Sequence, residues 1–173
     1  TEFKVVHIEE IVPNIFKLVV RAPMLAKKAK PGNFVIVMTH ENSERIPITL
    51  ADWDTELGTI TFFFQEHGFS TKELSETKTG EYLHGVVGPL GNAIKIPNNQ
   101  TILLGGGCYG MGALYPIAKA AKSLGNRVIV IMEGKSKEVL YLRNEYENLV
   151  DQVIYITSDG SHGVKGNEHG KIT

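Results

Sequence analysis

Residues 105–112 read GGGCYGMG, five glycines in eight positions. Glycine weakens any helix or strand that holds it, so the cluster asks for a reason. Gly105-x-Gly107-x-x-Gly110 has the spacing of a dinucleotide-binding turn, and Gly106 and Gly112 add further bare backbone. Without side chains the main chain can lie against a diphosphate, and a helix that follows offers free N–H groups with a partial positive charge. A phosphate loop of the G-x-x-x-x-G-K class is excluded, because Met111 and Gly112 stand where Lys and Ser or Thr are needed. A tight strand-to-helix turn that binds nothing is the other reading. Cys108 sits where a helix N-terminus would stabilise a thiolate, or else serves as a small residue in the turn. Glu133 follows the glycines by about two dozen residues, the separation at which a carboxylate accepts from ribose hydroxyls. That carboxylate would repel a 2′-phosphate. Lys135 and Lys137 would attract one, or merely begin the next helix, and we read the balance as NAD(H) over NADP(H).

The elements that must position these residues change rhythm along the chain. Over residues 1–97 the pattern is strand and turn: FKVVHI, IFKLVVRA, FVIVM, RIPITLADW, TITFFFQ and EYLHGVV. Pro13-Asn14 marks a hairpin turn, and DTELG a second one. Six short strands at this spacing predict a small antiparallel barrel. STKELSE interrupts them as a helix, with Ser70 as N-cap and Glu73 completing a capping box. After the polar KIPNNQ linker, residues 98–173 read as βαβ units: TILL, the helix ALYPIAKAAKSLG with Pro116 in its first turn, RVIVIM, the helix SKEVLYLRNEYENL, and QVIYIT. The fold class is therefore a six-stranded antiparallel β-barrel followed by a parallel, partial Rossmann-like α/β domain.

Composition excludes other classes. The chain is 42% apolar with a net charge of -1, which argues against a nucleic-acid coat or a polybasic membrane patch. The lysines of KKAK read as a solvated loop. One cysteine permits no intrachain disulfide, and the six histidines have no metal-ligand spacing, so no metal is assigned. No apolar run approaches the ~20 residues of a membrane span, and TEFKVV does not open as a signal peptide. A cytoplasmic location is the expectation.

The motifs KPGNFVIVM, RIPITLAD, FQEHGFSTKEL, VVGPLGNAIKI, LLGGGCYGMGALYPIAKAAKSLGN and SDGSHGVKG, in this order, resemble the ferredoxin–NADP reductase superfamily over nearly all 173 residues. Within it the chain resembles the branch of the dihydroorotate dehydrogenase electron-transfer subunits and the small subunit of NADH-dependent reduced ferredoxin:NADP oxidoreductase. The resemblance implies an FAD-binding barrel joined to a nicotinamide-binding domain. It implies that Arg45, Pro47, Ile48 and Thr49 of RIPIT hold the flavin, Arg45 as a partner of the diphosphate; a surface ion pair is the alternative for Arg45. Gly68, Ser70 and Thr71 of HGFST match a glycine–threonine loop that donates to phosphate; a plain helix cap is the other reading of Ser70, and the two are compatible. Phe62, Phe63 and Phe64 read as core packing, with Phe64 as the member that touches the flavin. Asp159, Gly160 and Ser161 match a segment beside the nicotinamide nucleotide, or form a polar turn.

The function implied is an FAD-containing electron-transfer oxidoreductase subunit. It would move a hydride between NAD(P)H and FAD and pass electrons to an iron–sulfur centre or a larger redox subunit. The cofactors carry such chemistry, so no protein acid or base is named as catalytic. Relatives continue for several more elements and carry a 2Fe–2S cluster there; such a cluster is expected only in a segment beyond residue 173, with the α/β sheet otherwise completed by a partner. Two alternatives stay open. One is a non-catalytic subunit of a redox complex that keeps this fold; the other is a stand-alone flavin reductase.

Overall fold

The computed structural model describes residues 2–166. Residues 167–173, where the sequence suggests the start of a further helix, lie outside the described residues. The chain divides into two compact units, residues 1–94 and 95–173.

The first unit opens with β1 (Phe3–Val12) and β2 (Ile15–Arg21), joined by Pro13-Asn14 with Asn14 at φ 63. There follow a one-turn helix α1 (Pro23–Ala26), then β3 (Phe34–Met38), β4 (Ile46–Thr49), β5 (Asp52–Asp54) and β6 (Thr59–Gln65). Helix α2 (Phe69–Ser75), β7 (Tyr82–Leu83) and β8 (Gly85–Leu90) complete it. These eight strands form two sheets, β5-β6-β2-β1-β7 and β4-β3-β8, each antiparallel throughout. The expected count of six fails for one physical reason. Two continuous β-rich runs each change partners part-way along. In RIPITLADW, the Leu50 N–H donates to Asn33 while the next N–H, of Ala51, donates to Thr61 in the other sheet. In EYLHGVV the break falls at His84, which donates to Thr39. Alternation continues through such corners, so periodicity does not reveal them.

One core cluster takes Leu18, Val20, Ile60, Phe62 and Phe64 from the larger sheet and Val35, Val37, Ile48 and Val86 from the smaller. Each of these side chains contributes about 1.5–3 kcal/mol by leaving water. The capping box does not form: Gly68 is the N-cap of α2 at φ 94, and Ser70 and Glu73 bond to another loop.

The second unit runs β9 (Thr101–Gly107), α3 (Gly110–Ser123), β10 (Arg127–Gly134), a single 3-10 turn (Lys137–Val139), α4 (Arg143–Leu149), β11 (Gln152–Thr157) and β12 (Val164–Lys165). The strands lie in the order β12-β11-β10-β9 and every pair is parallel. The two-residue β12 is too short to give a sequence pattern. Because the chain steps in one direction across the sheet, right-handed crossovers put both helices on the same face. Val128, Val130 and Met132 of β10 are fully buried there. On the opposite face Leu103 is 61% exposed and Ile129, Ile131, Ile154 and Ile156 are half-buried.

Two helix expectations are corrected. Helix α3 begins at Gly110 rather than at ALYP, which places Pro116 inside the helix instead of in its first turn. The expected single helix over SKEVLYLRNEYENL is broken, because Leu142 adopts φ 58 between the 3-10 turn and α4.

Candidate functional site

In the second unit the sequence candidates gather at the carboxyl ends of the parallel strands. Gly107 at the end of β9 pairs with Glu133 near the end of β10, and Glu133 pairs with Ile156 of β11. Glu133, Lys135, Asp159, Gly160 and Ser161 are all exposed there. The loop after β10 is tied to the loop after β11: Ser158 N–H donates to Gly134 O at 3.0 Å, Asp159 N–H to Lys135 O at 3.1 Å, and Lys137 N–H to Ser161 Oγ at 2.8 Å. Asp159 Oδ1 accepts from Ser161 Oγ at 2.6 Å and from its N–H at 2.9 Å, and these bonds hold its carboxyl below the ordinary value. The carboxyl edge of an open parallel sheet is where such folds bind ligands.

The glycines separate into two kinds when a Cβ is built on each. On Gly107 it would fall 2.9 Å from the backbone oxygen of Glu133, and on Gly106 2.9 Å from Leu114 of α3; these two let strand and helix approach. On Gly110 it would meet nothing within 4 Å, and on Gly105 only Ile131 at 4.0 Å. No neighbour among the described residues demands glycine at those two positions. They leave open main chain at these positions.

The turn itself holds no glycine at its strained position. Cys108 takes φ 49, in the left-handed region, and the next residue, Tyr109, is right-handed at φ -60 and ψ -17. A left-handed residue followed by a right-handed one turns successive N–H groups into one hollow, a main-chain anion nest. Left-handed geometry costs a non-glycine residue about 1–2 kcal/mol, so something must hold it. Cys108 and Tyr109 are exposed, whereas Met111 is only 2% exposed, so its side chain packs inward and only its main chain belongs to the turn.

Sequence reasoning missed the tyrosines beneath. Tyr141 Oη accepts from Gly112 N–H at 2.9 Å and donates to Tyr109 O at 2.9 Å. Tyr146 Oη donates to Met111 O at 2.6 Å. Burial pushes both phenols well above their usual range. Tyr141 falls in a helix-like pattern, and only the break at Leu142 aims it at the glycine turn, so its spacing carried no signal.

In the first unit a second group forms around α2. The loop between β3 and β4 is fastened to that helix by carboxylates: Glu73 accepts from Thr39 Oγ1 at 2.6 Å and bonds His40 Nε2 at 2.8 Å, while Ser70 Oγ donates to Glu44. This brings Arg45 and the first turn of α2 into one neighbourhood. Arg45 is exposed and makes no ion pair among the described residues. Alternation along the edge strand β4 sets Pro47 outward with Thr49 half-buried, whereas Ile48 is 7% exposed and belongs to the core. Phe64 is likewise core, stacked on Phe16 at 5.5 Å. A Cβ on Gly68 would meet nothing within 4 Å, and Thr71 Oγ1 accepts from His67 N–H at 2.7 Å. Among the described residues no cluster of His, Cys, Asp and Glu is arranged to hold a metal ion, and no helix is long and apolar enough to cross a membrane.

The chain as a whole is similar to several known proteins. No family model matches the chain. A dihydroorotate dehydrogenase B (NAD(+)) electron transfer subunit homolog of Thermotoga maritima is 40% identical over 157 residues, covering 91% of this chain and 55% of that protein. The dihydroorotate dehydrogenase B (NAD(+)) electron transfer subunit of Bacillus cereus strain Q1 is 33% identical over 168 residues, 94% of this chain and 64% of that protein. The solved structure of an NADH-dependent reduced ferredoxin-NADP oxidoreductase matches with TM-score 0.90 and 37% identity over 96% of this chain and 60% of that one. The fold is ferredoxin reductase-like. The resemblance to the electron-transfer-subunit branch of that superfamily stands. Amycolatopsis cytochrome P450 reductase GcoB, at TM-score 0.76 and 16% identity, supports the ferredoxin reductase-like fold alone. The chain spans only 55% and 64% of the two dihydroorotate dehydrogenase relatives, and those proteins exceed it accordingly.

Proposed function

We propose that the chain is the flavin- and nicotinamide-binding part of an electron-transfer oxidoreductase subunit. The first unit, read as the family's flavin barrel, would take FAD at Arg45, Pro47 and Thr49, with the main chain of Ile48 and the Gly68–Thr71 turn beside it. The buried ring of Phe64 would shape that strand from beneath. The second unit would take NAD(P)H, NAD(H) by preference, along Gly105, Gly106, Gly107, Cys108, Gly110 and the Met111 main chain. Glu133 and Lys135 would stand at the ribose, and Asp159, Gly160 and Ser161 beside the nicotinamide half. The observation that carries this reading is the open backbone at Gly105 and Gly110 on the carboxyl edge of the sheet, beside the Cys108–Tyr109 nest. The relatives' names, which include NAD(+), NADH and electron transfer, support it.

When bound, the two cofactors would supply hydride transfer and the conversion of an electron pair into single electrons. The chain's own residues bind and orient: the guanidinium of Arg45 offers a charge-assisted partner to phosphate, and the nest offers main-chain N–H groups. The electrons would leave to a larger redox subunit or an iron–sulfur centre carried elsewhere.

The test is anaerobic spectroscopy of the purified protein. A bound-flavin absorbance band that bleaches on adding NADH, more readily than with NADPH, is the expected result. A colourless protein that binds neither FAD nor nicotinamide nucleotide overturns the reading. Rapid turnover of free flavin without any partner would mark a stand-alone reductase instead.

A further inference from the structure

We propose that Tyr141 is a positioning residue for the nucleotide turn, holding the Cys108–Tyr109 nest in its binding shape from below. The inference rests on the reading of that turn as the nicotinamide nucleotide site. Its own support is geometric. The Tyr141 hydroxyl bridges the two ends of the turn, accepting from Gly112 N–H at 2.9 Å and donating to Tyr109 O at 2.9 Å. The side chain is 5% exposed and comes from the segment just before Leu142, whose positive φ of 58 directs the chain there.

Tyr109 is the right-handed half of the nest, so fixing its carbonyl fixes the peptide that carries the Gly110 N–H. Gly112 N–H is shared between the phenol and Tyr109 O at 3.2 Å, and Met111 N–H goes to Cys108 O at 3.3 Å, which leaves the N–H groups of the Cys108–Gly110 stretch as the ones to meet an anion. Burial raises the phenol above its usual range, so it stays protonated and keeps both roles through neutral and mildly alkaline pH.

Tyr146 supplies the control. It is fully buried in the same core, and its hydroxyl donates to Met111 O, inside α3 and outside the nest. Both tyrosines lose one oxygen on change to Phe, with the ring retained.

The experiment compares wild type, Y141F, Y146F and Y141F/C108G by NADH titration, flavin reduction at saturating NADH, and amide hydrogen exchange over residues 105–116 without nucleotide. Y141F is expected to weaken NADH binding about tenfold, the scale of one lost hydrogen bond, with flavin content and the saturated rate within about twofold. Its exchange at Gly112 and neighbouring amides rises. Y146F leaves NADH affinity within about twofold. In Y141F/C108G, glycine adopts the left-handed geometry without a tether, and affinity recovers. If Y141F binds NADH as wild type does, or Y146F weakens binding equally, or C108G rescues nothing, the positioning role is wrong while the nucleotide site stands. If wild type itself binds neither NADH nor NADPH, the functional reading fails first and this inference falls with it.

Discussion

At the scale of single residues, the glycine turn shows which part of a motif is architecture and which is opening. Gly107 is architecture, because a Cβ there would lie 2.9 Å from the backbone of Glu133. Gly107→Ala should cost about 1–3 kcal/mol, read as a lowered urea midpoint. Gly110 lies in the first turn of α3 with open space around it. Gly110→Ala should therefore stabilise the fold by up to about 1 kcal/mol while weakening nucleotide binding. A loss of stability there, or unchanged binding, would contradict the sorting. Glu133 is exposed opposite Gly107, and if it sets the nucleotide preference as proposed, Glu133→Gln should narrow the preference for NADH over NADPH, measured as the ratio of kcat/KM values. The sequence made the glycines and Glu133 legible by spacing. It hid Cys108's left-handed backbone, because a positive φ at a cysteine has no compositional mark, and it hid Tyr141 for want of any local pattern.

At the scale of elements, a buried amide and a half-buried carboxylate fix two of the joints. Asn126 is 2% exposed, accepts from Gln100 N–H, and donates to Pro97 O and Ala121 O, pinning the linker to the end of α3. Asn126→Ala should cost about 2–3 kcal/mol in chemical denaturation, since Gln100 N–H and Pro97 O lose their partner while Ala121 O keeps the N–H groups of Leu124 and Asn126. Glu73 joins α2 to the β3–β4 loop, and Thr39 first, then His40, hold its carboxyl below the ordinary 4.5. A depressed folded value stabilises above the unfolded one and is lost as pH falls through it. Wild type should thus exceed Glu73→Gln in stability by a constant margin above about pH 4.5, shrinking in more acid solution; a margin that persists there would refute the linkage. Strands and the α/β rhythm were legible because alternation and helical spacing are local. The corners at Leu50–Ala51 and His84 were not, since a change of sheet partner leaves alternation intact. The helix break at Leu142 was missed for the opposite reason: spacing continued through a residue whose backbone did not.

At the scale of the whole molecule, each unit holds its own candidate set, so the two binding functions should separate by mutation. Arg45→Ala should lower flavin content without changing nicotinamide nucleotide affinity, and Glu133→Gln should do the reverse; flavin absorbance and nucleotide titration on the same preparations check this. Loss of both ligands from either variant would mean that the units do not act as separate binding modules. The order of the motifs along nearly the full chain was the sequence's strongest signal, more specific than any one of them. What it could not show was that the two described α-helices of the second unit share one side of their sheet.

That lopsidedness has a practical consequence. Parallel sheets are normally sheathed on both sides, yet here Leu103 is 61% exposed and four isoleucines stand half-wet beside it. In a preparation of residues 1–173 alone, such a greasy wall should recruit environment-sensitive dyes, drive clumping as salt or temperature rises, and quieten when any cover is laid across it. Replacing Leu103 with a lysine should curb both dye uptake and clumping while the native circular dichroism persists.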